Sequence, residues 1–150
     1  MSRDRIEDEK RVLNEFFGEL VQNKGYRFIL QASGGEFQSL HCVIASQSGK
    51  KYALYMDLNR FPDGLPKIYV QHPHPLCRRG GESMAVVSGE YHTLSPNEDG
   101  HVQICHYGAS QWHANISLVK CVLRSKIWLD AYEQHLKTGK TIDTWLAHAH

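Results

Sequence analysis

Between positions 26 and 58 the chain lays down three strand-length segments, 26–31, 37–45 and 52–58, joined only by Ser33-Gly34-Gly35 and Gln47-Ser48-Gly49-Lys50. These joints are turn chemistry, because glycine enters the positive-φ conformations that tight reversals require. Links so short cannot carry the chain across a sheet to run parallel, so the segments are predicted to form an antiparallel meander. In the third, Tyr52, Leu54, Met56 and Leu58 alternate with Ala53, Tyr55 and Asp57, the period of a strand with one face on a core.

Helical patterns flank the meander. Leu13, Phe16, Phe17, Leu20 and Val21 fall at i, i+3, i+4, i+7 and i+8, which predicts a helix over 6–21 with one apolar stripe. Asn23-Lys24-Gly25 supplies its stop. A fourth strand is predicted at 67–71, framed by Pro62, Pro66, Pro73 and Pro75, since proline marks where sheet pairing begins and ends. Residues 72–100 are rich in Gly, Pro, Ser and Asn and read as an irregular segment, long enough that function is expected there. Val119, Val122, Leu123, Ile127 and Tyr132 then predict a long helix over 116–136. Lys137-Thr138-Gly139-Lys140 ends it, and 141–146 closes the chain as a short helix. The result is a single α+β domain over 1–150, with no repeat or linker.

Charge and hydropathy narrow the function. Seventeen basic residues against sixteen acidic ones leave a net charge of +1, with no basic cluster larger than pairs such as Arg78-Arg79. Nucleic-acid binding is therefore disfavoured. No apolar run approaches the roughly 18 residues of a membrane span, and Met1-Ser2-Arg3-Asp4-Arg5 leads into a charged helix rather than a secretion signal. The expectation is a soluble, cytoplasmic protein. Its four cysteines, Cys42, Cys77, Cys105 and Cys121, are unevenly spaced, which argues for free thiols rather than a disulfide framework.

One of those thiols stands apart. Cys105 lies in Gly100-His101-Val102-Gln103-Ile104-Cys105-His106, between His92 and Trp112 and just ahead of the second helix. Reactive groups commonly sit on loops anchored to rigid elements, and a thiolate is an intrinsically strong nucleophile. Cys105 is the candidate nucleophile. The alternative is a buried small apolar residue at the end of a short strand carrying Val102 and Ile104. His101 and His106 flank the thiol and are candidates for lowering its pKa or moving a proton. Cys42 on a strand and Cys121 on a helical stripe read as core. Zinc is a competing chemistry: His72, His74 and Cys77, with Cys105, His106 or His92 brought near, offer nitrogen and sulfur ligands. The paired Cys-x-x-Cys spacing of strong zinc sites is missing, however.

Over nearly its whole length the chain resembles the ubiquitin-conjugating enzymes. The resemblance rests on the order helix, four-strand meander, flap with a cysteine, helix. It rests also on Phe61-Pro62-Asp63-Gly64-Leu65-Pro66-Lys67-Ile68-Tyr69-Val70, and on His92, Asp99-Gly100, Ile104-Cys105 and Trp112 in that sequence. It implies that Cys105 carries the carboxyl terminus of a ubiquitin-like modifier as a thioester, received from an activating enzyme and passed to an amine of an acceptor protein. It also implies that His92 orders the flap. The family's flap reads His-Pro-Asn where this chain has His92-Thr93-Leu94, so the asparagine is missing. Asn97 is the nearest replacement, although Pro96-Asn97-Glu98-Asp99-Gly100 also reads as a plain turn. Trp112 is expected to pack over the flap and keep water from the thioester. Divergent bacterial relatives lack parts of the family pattern too, which extends the cargo to a cyclic-nucleotide synthase of an antiphage operon. No cofactor is implied. Inactive relatives serve as adaptors, and that is the second functional expectation.

Overall fold

A computed structural model describes residues 3–146 of the chain; Met1 and Ser2, read above as the lead into the first helix, lie outside them. Helix α1 covers Arg3–Lys24 and outruns its apolar stripe at both ends, because Arg, Glu and Lys are good helix formers wherever they fall. Arg5 and Glu9 pair at 3.0 Å, and Arg11 and Glu15 at 3.3 Å, one turn apart along it. Gly25 at φ 72° turns the chain out of the helix, and the Tyr26 amide donates back to the Leu20 carbonyl at 3.1 Å.

Strands β1 (Arg27–Ser33), β2 (Glu36–Ala45), β3 (Lys51–Asp57) and β4 (Lys67–His72) form the expected antiparallel meander. The sheet is larger than the four strands predicted. Two further strands, β5 (Thr93–Leu94) and β6 (Val102–Ile104), extend it in the order β1-β2-β3-β4-β6-β5. Segments of two and three residues are too short to show a period, and their place is set by pairing, β6 with β4 and β5 with β6. The segment 72–100 is likewise less irregular than its composition suggests, with β5 and the isolated bridges Cys77 to Ser83 and Ser88 to Thr93 inside it. A 3-10 turn at Ala109–Gln111 precedes helix α2 (Leu118–Thr138), and α3 (Asp143–Leu146) closes the described chain.

Register explains the core. Cys42, Leu54, Val70 and Val102 form one cross-strand row, and Leu40, Met56, Ile68 and Ile104 the next; all eight are buried. Against them pack Leu118, Cys121, Val122, Trp128, Leu129 and Tyr132 of α2, with Ile6, Leu13 and Phe17 of α1. Burying each large apolar side chain stabilises the fold by roughly 1.5–3 kcal/mol relative to exposure. Cys42 and Cys121 belong to this core, as their positions predicted. The α1 stripe is wider than the face it buries: Phe16 remains 57% exposed and Val21 38%, and on α2 Ile127 is 47% exposed.

Both ends of α2 are tied down. Gly139, left-handed at φ 79°, ends it with its amide on the His135 carbonyl at 2.8 Å. Near that end the Glu133 carboxylate accepts hydrogen bonds from the hydroxyls of Ser46, Ser48 and Tyr52, each at 2.7 Å. Asp130 takes the Gln47 amide at 2.8 Å. The β2–β3 turn is thereby clamped onto α2. Among the described residues, no helix is long and apolar enough to cross a membrane.

Candidate functional site

Cys105 is the first residue past β6, at the end of the short strand that carries Val102 and Ile104. Its amide donates to the His92 carbonyl at 2.8 Å, continuing the β5–β6 ladder by one rung. The thiol is half-buried and lies 3.7 Å from the Tyr107 carbonyl as a weak donor. Burial pushes its pKa above the ordinary thiol value, because a partly desolvated site disfavours the charged thiolate.

The segment after the thiol is anchored by an aromatic cluster. Trp112 donates its indole N–H to the Pro62 carbonyl at 2.9 Å and packs near Phe61 and Tyr107, ring centres 6.1 and 5.7 Å away. The Arg124 guanidinium from α2 lies 4.2 Å over the Tyr107 ring and reaches the His106 carbonyl at 3.4 Å. The loop bearing Cys105 is thus fastened to the loop at Pro62 on one side and to α2 on the other. Trp112 thus packs on Phe61, Pro62 and Tyr107, beside the thiol-bearing loop.

The three histidines separate. His92, a non-glycine residue held at φ 50°, pairs Nε2 with Asp143 Oδ1 at 2.7 Å and through its carbonyl holds the Cys105 amide. His106 is only 2% exposed and meets Tyr107 edge-on at 5.4 Å, so it is turned into the protein rather than toward solvent beside the thiol. His101 sits edge-on to His74 at 4.8 Å and close to Asn97. Asn97 itself makes the plain turn: its Oδ1 accepts the amides of Asp99 at 3.1 Å and His101 at 3.0 Å.

The geometry also bears on the start of α2 and on the zinc alternative. The first amides of α2 are already taken, that of Leu118 by Glu9 Oε1 at 2.8 Å and that of Lys120 by the capping Ser117 at 3.4 Å. A carboxylate from α1 therefore occupies the positive end of this helix. For zinc, His72, His74, Cys77, His92, Cys105 and His106 do not gather: among the described residues, no three His, Cys, Asp or Glu side chains converge to hold a metal ion.

Residues the sequence did not single out now stand beside the site. Asp143 and Arg124 reach it from α3 and α2. Asp143 opens a short helix, an ordinary place for aspartate, and no local pattern connects it to a histidine on the flap. A scan of protein-family models and searches of curated proteins and solved structures found no match to the chain.

Proposed function

We propose that the chain is a cysteine-dependent carrier of protein carboxyl termini, a ubiquitin-conjugating-type transferase. In the reaction, the Cys105 sulfur attacks a thioester on the activating enzyme's cysteine. A new sulfur–carbonyl bond forms, the old one breaks, and the activating enzyme's thiol is released. An acceptor amine then attacks the carbonyl carbon, the carbon–nitrogen bond replaces the carbon–sulfur bond, one amine proton is lost and the Cys105 thiol returns. Cysteine suits both steps because thiolate attacks well and also leaves readily.

The observation that carries this reading is the placement of Cys105: one residue past the end of an interior sheet strand, half-buried, with its amide fixed by His92 and the following loop anchored by Trp112 and Arg124. The order α1, antiparallel meander, flap, cysteine, α2 supports the resemblance on which it rests. The cargo is a ubiquitin-like modifier or a cyclic-nucleotide synthase, and activation consumes nucleotide on the partner rather than on this chain.

Incubation with an activating enzyme, cargo and nucleotide should give an adduct that reductant removes and Cys105→Ala abolishes. No adduct with a partner competent toward another carrier refutes the proposal. A second reading, a non-catalytic adaptor of the same fold, draws on one observation: burial raises the Cys105 pKa, the opposite of what an activated thiol needs. Cargo bound equally well by the wild type and Cys105→Ala, without a covalent adduct, would favour it.

A further inference from the structure

His92 occupies the left-handed region at φ 50°, where a side chain with a Cβ is disfavoured and persists only when its surroundings hold it. Asp143 supplies two of the contacts that hold this segment. Asp143 donates its amide to the Glu90 carbonyl at 2.8 Å and places Oδ1 2.7 Å from His92 Nε2, gripping the flap by backbone and side chain on either side of Tyr91. His92 in turn accepts the Cys105 amide at 2.8 Å. A chain of contacts therefore runs from α3 through His92 to the thiol-bearing residue. A carboxylate oxygen only accepts, so in this pair the ring proton lies on Nε2.

We infer that Asp143 is a positioning residue of the transfer site: it fixes the tautomer and backbone pose of His92, and through the His92 carbonyl it fixes the presentation of Cys105. The inference rests on the thioester-transfer reading for its catalytic consequence, but not for its geometry. Small displacements of a reacting group can cost up to about a hundredfold in rate, so a residue two contacts away from the sulfur matters when both contacts are short. Arg78 stacks on Tyr91 at 4.0 Å and Trp128 donates to the Tyr91 carbonyl at 3.0 Å, which keeps the flap attached to the core when the carboxylate alone is altered.

The test compares wild type with Asp143→Asn and Asp143→Glu in the full chain. Asparagine keeps the backbone bond to Glu90 and can donate to Nε2, which frees the ring to adopt the Nδ1–H tautomer, the known consequence of replacing an aspartate that orients a histidine. Three readouts are taken: the His92 tautomer from long-range ¹⁵N–¹H spectra, the iodoacetamide rate at Cys105 by mass spectrometry, and single-turnover discharge of the Cys105 thioester to free lysine. The expected result is Nε2–H in wild type and Nδ1–H in Asp143→Asn. With it come at least a twofold change in alkylation and discharge slowed by about tenfold, partly restored in Asp143→Glu. Asparagine that leaves the tautomer and alkylation unchanged overturns the inference, whatever the discharge assay gives. A tautomer and alkylation change in a protein whose wild type forms no thioester instead overturns the transfer reading and leaves the positioning role standing.

Discussion

Replacing Glu133 by alanine should cost more stability than any other exposed-side substitution on α2. Its carboxylate accepts three hydroxyls at 2.7 Å, and two of the donors have little access to water: Tyr52 is 0% exposed and Ser46 5%. A hydrogen bond to a charged group contributes about 1.5–3 kcal/mol, and a buried donor left unpaired carries its desolvation cost. Ser48 is exposed and water replaces its bond, while Ser46 keeps the Ser48 hydroxyl at 2.9 Å as a partner. The loss for Glu133→Ala is then about 2–4 kcal/mol, and about half that for Glu133→Gln, which keeps one acceptor oxygen. With a urea slope of about 1.5 kcal/mol per molar, alanine lowers the unfolding midpoint by about 2 M. The contribution also has a pH signature. Burial pushes the Glu133 carboxyl upward, but hydrogen bonds from Ser48, Ser46 and Tyr52 and the charge of Lys50 outweigh it and hold it below its ordinary value. A carboxyl lowered in the folded chain stabilises fully above the unfolded value, about pH 4.3, and loses that contribution as pH falls through the lower folded value. The gap between wild type and Glu133→Gln should therefore narrow as pH falls below about 4.3. A midpoint shift under about 0.5 M for alanine, or a gap that stays constant down to pH 3, refutes this reasoning.

Other expectations concern the site and its support. Because burial holds the Cys105 thiol above the ordinary range, its alkylation rate should keep climbing beyond the pH where free cysteine levels off; a plateau near neutral pH would contradict the burial argument. Cys42, with its pKa pushed up to about 12 by burial, should stay unlabelled in the folded protein. Trp112→Phe strips the donor from the buried Pro62 carbonyl and should cost about 1–3 kcal/mol in a urea melt, together with faster hydrolysis of any Cys105 thioester; unchanged stability would mean that water reaches that carbonyl. Glu9→Ala unpairs the Leu118 amide at the start of α2 and should lower the melting temperature by about 5 °C, with faster hydrogen exchange at Leu118. Glu9→Gln, which keeps an acceptor, should lose less.

Particular residues show how far the sequence alone reached. Gly25 and Gly139 were readable as helix stops because a left-handed residue there is nearly obligatory for glycine, and both take it, at φ 72° and 79°. The meander was readable because Gly-rich links of a few residues leave only antiparallel pairing. Helix α2 began two residues later than its apolar period, at Leu118, because Ser117 caps it. The helical stripe of α1 overstated burial, since periodicity marks which residues share a face and not how much of that face is covered.

What the sequence by itself determined, then, is everything that repeats along the backbone or is punctuated by turn residues: the two long helices and the short closing one, four of the strands, the identity of the core cysteines and the stretch in which Cys105 lies. Tertiary structure alone decided the rest of the site. Strand β6 is placed by pairing with β4, and β5 by pairing with β6. His92 meets Asp143 across 51 positions, and Glu9 reaches Leu118 across 109. His106, beside the thiol in sequence, is turned into the interior. A period is a property of local geometry and is written many times over in neighbouring residues. A single contact between distant side chains is written once in each partner, and nothing in either one names the other until the core has brought them together.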